Sequence, residues 1–401
     1  MTLDVQCPAV YPEGCKIVFV GDAPGKEDCD AKEGFTGSDG RALQKACKVA
    51  GIEWNAVGRT NLSKRRPQVD GQDFRKAFYE TIEEPIYTPT GKLSKRTSKT
   101  TLWTHECQEW IDQLAQELRH HNPNLVVAAG NEVISAITGF SGVTNYRGSV
   151  VDGRGAFTRL DGTPLKVLCT EHPRYIVRGS IADFWFLAHD LKKAKREREF
   201  AGIRREPLNS LIAPTLAEVV SRLRDIEELG LPWTLDFETR AGTPACFAVA
   251  MHYPEGIYSV CVPLQTPSGP HWSGEDECEI WRALNEAALA NPKLCNQNIE
   301  YDIYYLLRYG IEPSGVWMDT MLAHALLYPE FPKSLAFLCS FYLDDVKFYK
   351  SEGRDWADGD RDEQLWEYCS KDAIYTLRIV EKIDEQLKER DLFDFYHGKI
   401  L

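Results

Sequence analysis

The first half of the chain alternates short apolar runs with stretches of helical periodicity. Residues 16–20, 125–129 and 165–168 are apolar and rich in β-branched side chains, which predicts buried strands. Residues 40–50 lie between the first two runs and predict a helix that ends at Gly51. Strands separated by helices are typical of a largely parallel sheet with helices on both faces. We therefore predict an α/β domain here.

The second half repeats this pattern after a segment that contains prolines. A basic helix predicted over residues 187–199 runs towards Pro207, and a new strand is predicted over residues 233–238. A further β-rich stretch covers residues 257–262, and helical patterns dominate the remainder. A chain of 401 residues is also too long for one ordinary core. The prediction is two α/β domains, residues 1–205 and residues 206–401.

Periodicity is lost between residues 67 and 107. This polar stretch carries Lys92, Lys95, Arg96 and Lys99 among threonines and serines. A structureless insertion of this length is usually either functional or disordered. Two interpretations stay open: a solvated surface loop, or an arm that contacts phosphate groups through Lys95 and Arg96.

Charge is distributed unevenly along the chain. The formal net charge is −13, but residues 1–205 contain 30 Lys and Arg against 26 Asp and Glu, whereas residues 206–401 contain 17 against 34. The first half is thus slightly basic, at +4, and the second half strongly acidic, at −17. A basic half can contact phosphate directly, while a carboxylate-rich half can hold divalent metal ions. The net charge therefore does not exclude nucleic acid as a partner.

The composition also limits where in the cell the protein is expected. No apolar run approaches the ~18 residues that a membrane helix needs, and the amino terminus lacks the pattern of a secretory signal. Twelve cysteines are spread along the chain without clustering, which is typical of reduced thiols in an intracellular protein. We therefore expect no membrane association and no secretion, and a location in the cytoplasm of a bacterium or of a phage-infected cell.

Acidic side chains in the second half recur at spacings that suit metal chemistry. Asp236 and Glu238 lie two apart on a predicted strand, so both carboxylates point to the same side of it. Asp302 lies beside a helical run, and Tyr368 and Asp372 are four residues apart, which places them on one face of a helix. Four carboxylates gathered at one point repel one another unless cations neutralise them. The set predicts a site for two hard divalent metal ions.

Residues from about 230 to 397 resemble the proofreading 3′–5′ exonuclease domain of family A DNA polymerases, of the type with four acids and a tyrosine. The motifs follow the order of that family: Asp236 with Glu238, then Asp302, then Tyr368 with Asp372. The resemblance implies an RNase H-like fold in which those four carboxylates hold two Mg²⁺ or Mn²⁺ ions and Tyr368 orients the attacking water. Because no polymerase domain follows, it also implies a family A DNA polymerase as a separate chain or as a missing domain.

Further candidate functional side chains lie where predicted strands of the first half run into loops. Gly21 and Gly25 flank Asp22 in a loop directly after the first predicted strand. Taken alone, a glycine-rich loop of this spacing is a weak signal for phosphate binding. Three more side chains lie at such junctions: Phe35, Asn61 and His172. Together they supply a carboxylate, a stacking ring, an amide and an imidazole, the groups needed to read and excise an extruded base.

This half resembles the uracil-DNA glycosylase superfamily, nearest to its family 4, over residues 14 to about 195. The resemblance implies a three-layer αβα fold in which Phe35 stacks on a flipped uracil. Asn61 would hydrogen-bond the polar edge of the base and so disfavour cytosine. His172 would donate to the uracil oxygen that gains negative charge as the glycosidic bond breaks. Asp22 would position water or stabilise the cationic sugar.

Some positions follow that family and others depart from it. Gly21, Gly25 and Asp28 fall in the substrate-binding loop, where Asp28 occupies the place of a residue that excludes the thymine methyl group. Family 4 carries glutamate where this chain has Asp22, so the carboxylate here is one methylene shorter. Family 4 also holds an iron–sulfur cluster on four cysteines. Because this chain retains at most Cys107 of these ligands, we expect no cluster.

A basic triplet in the first half suggests contact with nucleic acid. Lys64, Arg65 and Arg66 resemble the superfamily branch that traps uracil-DNA covalently, but that branch needs a histidine in this loop and the loop has none. Covalent trapping is therefore not expected. We predict instead that the triplet, with Lys95 and Arg96, contacts DNA phosphates.

The combined prediction is a bifunctional DNA repair or replication enzyme. Its first domain would hydrolyse the N-glycosidic bond of uracil in DNA, and its second would degrade DNA from a 3′ end. One alternative keeps the exonuclease but makes the first domain a uracil-sensing or DNA-binding module without glycosylase activity. A structural adaptor with neither activity would need both sites to be inactive, and the complete set of acids argues against it.

Overall fold

The computed structural model describes residues 3–68, 73–87, 93–179, 181–352 and 362–401, and within these only the backbone of residues 84–87, 93–99 and 178. The chain divides into two compact units, Met1–Arg204 and Arg205–Leu401. Each unit has a mixed sheet with its own hydrophobic clusters on both faces. The predicted α/β class with two domains is confirmed.

Seven strands lie in the described part of the first unit: β1 (Ile17–Gly21), β2 (Gly58–Asn61), β3 (Tyr79–Tyr87), β4 (Leu93–Trp103), β5 (Leu125–Ala129), β6 (Val150–Asp152) and β7 (Lys166–Thr170). The main sheet has the order β2-β1-β5-β7-β6. Its first four strands are parallel, and β6 is antiparallel to β7 at one edge. The strands predicted over residues 16–20, 125–129 and 165–168 are β1, β5 and β7, which confirms the parallel sheet.

Helices cover both faces of this sheet: α1 (Lys26–Ala31), α2 (Ser38–Ala50), α3 (Phe74–Phe78), α4 (His105–His121), α5 (Asn131–Thr138), α6 (Val143–Tyr146), α7 (Arg174–Arg178) and α8 (Ile181–Glu197). Successive strand side chains point to opposite faces. Phe19 of β1 belongs to one cluster with Leu43 of α2 and Leu187 of α8, while Val18 belongs to another with Trp110 of α4. The first unit is therefore a three-layer αβα domain, as expected.

The prediction of a structureless insertion between residues 67 and 107 is wrong. Helix α3 is followed by an antiparallel hairpin of β3 and β4, in which Tyr79 lies opposite Trp103. The rings of these two residues lie 4.2 Å apart at the base of the hairpin. A two-stranded ribbon with polar residues on both faces lacks the apolar alternation that identifies a half-buried strand, so the sequence pattern did not reveal it.

Among the described residues of the second unit there are eight strands: β8 (Asn209–Ile212), β9 (Trp233–Arg240), β10 (Thr243–Tyr253), β11 (Gly256–Pro263), β12 (Gln265–Thr266), β13 (Gly269–Pro270), β14 (Leu294–Asn296) and β15 (Val316–Asp319). Six of them form one sheet in the order β15-β14-β9-β10-β11-β8. β10 pairs antiparallel with β9 on one side and with β11 on the other, and β14 and β15 continue from β9 in parallel. The strands predicted over residues 233–238 and 257–262 are β9 and β11, whereas the sequence pattern did not single out β10.

Helices of the second unit pack on the two faces of this sheet: α9 (Leu216–Leu229), α10 (Gly274–Ala290), α11 (Glu300–Arg308), α12 (Thr320–Leu327), α13 (Leu335–Tyr342), α14 (Asp362–Glu389) and the short α15 (Phe393–Phe395). On one face, Ala248 of β10 clusters with Leu377 of the long helix α14. On the other, Phe247 clusters with Leu223 of α9 and Leu284 of α10. In the described part of the chain, no helix has the length and apolar character that crossing a membrane requires.

Candidate functional site

Parallel strands bring the predicted base-binding residues to one edge of the first sheet. Gly21 ends β1 and is paired in register with Asn61, the last residue of β2. β7 ends at Thr170, and His172 follows two residues later. Clefts in open α/β sheets form at the carboxyl ends of the strands. Here a cleft of about 600 Å³ is lined by Asp22, Phe35, Asn61 and His172, and also by Gly25, Asp28 and Arg174.

Phe35 and Asn61 lie against Gly21. A β-carbon on Gly21 would lie 2.6 Å from Asn61 Oδ1 and 3.1 Å from the Phe35 ring, so only glycine fits between them. Phe35 is buried and has a φ of +63°, a backbone conformation that residues other than glycine rarely adopt. Within the described residues, the Asn61 amide makes no hydrogen bond of its own, so it is available to a ligand in the cleft.

Asp22, His172 and Arg174 form a hydrogen-bonded cluster beside these residues. Arg174 Nη2 donates to both carboxylate oxygens of Asp22, at 2.6 and 2.7 Å, and His172 Nε2 lies 3.3 Å from Oδ1. His172 Nδ1 accepts from the backbone N–H and from Nε of Arg174, each at 3.1 Å. The imidazole therefore carries its proton on Nε2. That N–H is the donor that a contact with a uracil oxygen needs.

The charge of Asp22 is strongly stabilised. Burial alone would raise the pKa of Asp22, but His172 and Arg174 outweigh it and hold the pKa at about 2. Asp22 is therefore an anion at neutral pH, and both of its oxygens are already paired. Arg174 was not among the predicted site residues, although it follows His172 by two residues. Pairing with a guanidinium lowers the basicity of the carboxylate and so opposes its use to activate water.

Asp28 connects two loops that border the cleft. Its Oδ2 accepts from the backbone N–H of Gly25 at 2.8 Å. Its Oδ1 accepts from the N–H groups of Thr36 and Gly37, at 2.7 and 3.3 Å, and from the Thr36 hydroxyl at 2.9 Å. These contacts fix the glycine-rich loop relative to the segment that follows Phe35. The role of Asp28 in excluding the thymine methyl group stays a prediction.

Two members of the predicted DNA-binding set pair with carboxylates of the protein. Burial contradicts the prediction for Lys64, whereas for the partly exposed Arg65 it stays a prediction. Lys64 is 1 % exposed, and its Nζ lies 3.0 Å from both the Asn61 carbonyl oxygen and Glu117 Oε2. Arg65 forms a bidentate pair with Glu106, at 2.7 and 2.8 Å. A basic triplet in the sequence does not distinguish surface cations from cations that neutralise buried carboxylates.

The remaining members of that set stay predictions. Arg66 is half-buried, and its Nε has no hydrogen-bond partner among the described residues. The backbone of Lys95 and Arg96 belongs to β4, but their side chains lie outside the described residues. A hairpin that carries these two cations is compatible with an arm that contacts phosphate groups.

In the second unit, β9 and α14 bring three predicted metal ligands together. Asp236 and Glu238 lie on β9 and Asp372 lies on α14. One oxygen of each lies within 4.8 Å of the other two. Asp236 Oδ2 is buried and has no hydrogen-bond partner among the described residues, which is unfavourable unless a cation binds it. Carboxylate oxygens in this arrangement fit Mg²⁺ or Mn²⁺.

Asp302, the fourth predicted ligand, lies beside this cluster rather than within it. It is on the first turn of α11 and is buried. Its Oδ1 accepts from the backbone N–H of Phe237 at 2.9 Å, and its Oδ2 accepts from Asn296 Nδ2 at 2.6 Å. Phe237 lies between Asp236 and Glu238 on β9. Asp302 thus contacts the strand that carries the first two ligands.

Burial and mutual repulsion dominate the electrostatics of the acidic cluster. Burial raises the pKa of Asp236 to about 8 and the pKa of Glu238 to about 10, and neighbouring carboxylates add to both shifts. Burial also raises the pKa of Asp302 well above its usual value. The cluster without metal therefore retains protons at neutral pH, and binding of divalent cations would displace them.

Lys350, which the sequence analysis did not single out, lies in the same cluster. Its Nζ donates to Tyr368 Oη at 2.7 Å and to Asp372 Oδ2. The Tyr349 hydroxyl donates to the other oxygen of Asp372 at 2.5 Å. Tyr368 thus lies beside Asp372, as their helical spacing predicts. Lys350 comes from the segment between α13 and α14, where no motif marks it.

Two family models match the chain in succession. Residues 8–195 match the model described as the uracil DNA glycosylase superfamily, and residues 216–388 match the model described as a 3′–5′ exonuclease. The first range contains every residue of the cleft, and the second contains the whole acidic cluster. The succession of families predicted from the motifs is confirmed.

Curated relatives match over part of the chain. DNA polymerase I of Borreliella burgdorferi is 30 % identical over 122 residues, which are 29 % of this chain and 13 % of that protein. DNA polymerase I of Synechocystis sp. is 36 % identical over 98 residues, which are 23 % of this chain and 10 % of that protein. The chain therefore spans only about a tenth of the length of these relatives.

Solved structures of nucleases are also similar. The apo form of a nuclease is 16 % identical with a TM-score of 0.34, and the match covers 48 % of this chain and 86 % of that one. The EXD2 exonuclease domain soaked in Mn and GMP is 17 % identical with a TM-score of 0.21, and the match covers 48 % of this chain and 96 % of that one.

Proposed function

We propose that this chain, which joins a domain of the uracil DNA glycosylase superfamily to a 3′–5′ exonuclease domain, is a DNA-processing enzyme with two activities. The second domain removes nucleotides from 3′ ends of DNA with divalent metal ions. The first domain hydrolyses the bond between uracil and deoxyribose. The observation that carries the nuclease assignment is the buried oxygen of Asp236, unpartnered among the described residues, beside Glu238 and Asp372.

In the exonuclease domain, the carboxylates that would hold the metal ions are Asp236 and Glu238 on β9 and Asp372 on α14. Two divalent cations held there would supply an activated water and stabilise the leaving 3′ oxygen. Asp302 holds the first two ligands in place, since it accepts the backbone N–H between them at 2.9 Å. The hydroxyl of Tyr368 lies beside Asp372 and orients the attacking water by a hydrogen bond.

In the glycosylase domain, the cleft holds a uracil extruded from the DNA stack. Phe35 stacks on the base, and the Asn61 amide offers both a donor and an acceptor to its polar edge. His172 donates its Nε2 proton to the uracil oxygen that becomes negative as the glycosidic bond breaks. Asp22, anionic at neutral pH, stabilises the positive charge that develops on the sugar.

A specific observation favours a second candidate function for the first domain. Arg174 occupies both oxygens of Asp22, so in this arrangement the carboxylate is not free to receive a proton from water. The cleft retains the stacking ring and the amide that recognise the base. A uracil-sensing or DNA-holding module without hydrolysis, attached to an active exonuclease, is therefore the alternative.

The glycosylase proposal is tested in EDTA, which silences the metal-dependent domain. Purified protein is incubated with a single-uracil oligonucleotide, and alkali then cleaves any abasic site. Cleavage at the uracil supports hydrolysis, and Asn61→Ala should abolish it. Binding selective for uracil without cleavage supports the second candidate. If the protein neither cleaves at uracil nor binds uracil selectively, both candidate functions are overturned.

The nuclease proposal is tested with 5′-labelled DNA and Mn²⁺. The expected result is stepwise shortening from the 3′ end that stops in EDTA. Asp236→Asn should remove this activity, while Asp394→Asn changes an exposed aspartate outside the cluster and serves as the matched control. Equal activity of the two variants would contradict the assignment.

The role in the cell follows from pairing the two activities. Both domains would act beside a family A DNA polymerase that must avoid copying deaminated cytosine, a context supported by the similarity to two DNA polymerase I sequences. Repair and proofreading by this chain are part of the proposal. A primer-extension assay with such a polymerase on a uracil-containing template tests it, with stalling at the excised site as the expected result.

A further inference from the structure

Lys350 places a positive charge among the carboxylates of the second unit. Its side chain is 25 % exposed, and its Nζ contacts both Asp372 Oδ2 and the Tyr368 hydroxyl. Asp372 differs in this respect from Asp236. One Asp372 oxygen accepts from Tyr349 and the other from Lys350, whereas Asp236 Oδ2 has no partner among the described residues.

This difference matters for metal binding. A divalent ion can bind the unpartnered oxygen of Asp236 without breaking a hydrogen bond within the protein. At Asp372 each oxygen already accepts from a donor, so an ion that binds there meets either the Lys350 ammonium or the Tyr349 hydroxyl. The ammonium is the group that a cation replaces, because two positive charges on the same carboxylate oxygen repel each other. Tyr349 is buried and neutral, so its hydroxyl can stay on Oδ1.

We propose that Lys350 is an internal cation of the exonuclease site, which occupies Asp372 in the metal-free protein and is displaced when a divalent ion binds there. This inference rests on the proposed metal-dependent function of the same site. It assigns Lys350 as a positioning residue, because its ammonium also holds the hydroxyl of Tyr368. Displacement of Lys350 releases that hydroxyl, so metal binding and the freedom of Tyr368 to orient water are coupled.

The first test compares Mn²⁺ binding to three forms of the full chain: wild type, Lys350→Met and Lys350→Arg. Free Mn²⁺ is followed by its electron paramagnetic resonance signal, so the readout does not depend on catalysis. Methionine keeps the apolar stem but removes the competing charge, and roughly tenfold tighter Mn²⁺ binding is expected. Arginine keeps the charge, and its affinity should stay close to that of wild type.

Thermal unfolding of the same proteins separates competition from a purely structural role. In EDTA, Lys350→Met should unfold at a lower temperature than wild type, because the carboxylates lose their counter-charge. In saturating Mn²⁺ the difference should disappear. A side chain that merely stabilises the fold would lower the unfolding temperature equally in both conditions.

A second measurement uses the wild-type protein alone and keeps the inference testable if Lys350→Met does not fold. An amine-reactive ester labels lysines with and without Mn²⁺, and mass spectrometry reports each site. Lys350 should become several-fold more reactive when Mn²⁺ displaces it. Lys371 is the matched control, since its side chain is also 25 % exposed and it pairs with Glu352 at 2.7 Å, outside the three-carboxylate cluster.

The outcomes separate this inference from the proposed function. If wild type binds Mn²⁺ and degrades DNA, but Lys350→Met binds Mn²⁺ no more tightly and Lys350 labelling does not change, only the internal cation is overturned. If wild type binds no Mn²⁺ at all, both the proposed nuclease function and the internal-cation role of Lys350 are overturned.

Discussion

Gly21→Ala tests the proposed recognition of a base by the cleft. The added β-carbon would lie 2.6 Å from Asn61 Oδ1, and 3.1 and 3.4 Å from two carbons of the Phe35 ring. A carbon–oxygen contact as short as 2.6 Å is essentially never seen in proteins, so the Asn61 amide must move away. Gly21 ends a regular strand and has no positive φ. The substitution therefore adds bulk without backbone strain.

The expected magnitude follows from this geometry. Overpacking of one methyl group in a closely packed region costs about 1–3 kcal/mol of unfolding free energy, so the variant should still fold. The effect on function should be larger, because a displacement of about 1 Å in a positioning group can lower a rate roughly 100-fold. We expect a loss of about that size in uracil excision, or in uracil-selective affinity if the domain only binds.

The assay measures excision and binding in EDTA on a single-uracil oligonucleotide. Gly34→Ala is the matched control, because its β-carbon would lie 3.5 Å from Asn61 Nδ2, which is an ordinary contact distance. Urea denaturation reports the stability of each variant, and exonuclease activity in Mn²⁺ reports that the second unit is intact. If Gly21→Ala excised and bound uracil as well as Gly34→Ala, the placement of Asn61 and Phe35 around the base would be refuted.

Three further predictions concern charge. The folded-state pKa of Asp236, about 8, lies above its unfolded value. Protonation of Asp236 therefore stabilises the metal-free second unit fully below about pH 4 and progressively less as the pH rises through 8. Urea denaturation in EDTA across this pH range should show the decline in stability, and Asp236→Asn should make that decline smaller. Lys64→Ala removes the cation that pairs with Glu117 and should lower the unfolding free energy by about 3 kcal/mol, whereas loss of DNA affinity without loss of stability would mean that Lys64 contacts DNA after all. Arg174→Gln removes one of the groups that lower the pKa of Asp22 and should raise that pKa, which ¹³C carboxyl NMR titration measures directly; an unchanged value would show that the guanidinium does not control this carboxylate.

The sequence predicted those parts of the molecule that depend on local pattern. Apolar runs identified β1, β5 and β7, and the spacing of Tyr368 and Asp372 placed both on one helical face. The two family resemblances rested on motifs in order, and the matched family models agree with them. Motif spacing succeeds because neighbouring residues on one strand or helix have fixed relative directions.

What the sequence did not reveal depends on contacts between distant segments. Lys64 and Arg65 form part of a basic triplet, and only the fold shows that Glu117 and Glu106 neutralise them. Lys350 lies 22 residues before Asp372, and no regular spacing connects the two. Asp302 matched its motif, but only the fold shows that its oxygens accept hydrogen bonds from Phe237 of β9 and Asn296 of β14.

The carboxylate of Asp28 has a consequence for directed evolution of the cleft. It anchors the two bordering loops through three main-chain N–H groups, those of Gly25, Thr36 and Gly37. Main-chain donors are present whatever side chain a position carries. Exposed cleft positions beside these loops, such as Lys26 at the start of α1, can therefore be randomised while the loops keep their shape. A library that retains Asp28 and varies such positions is a rational starting point for changing the base specificity proposed for the cleft.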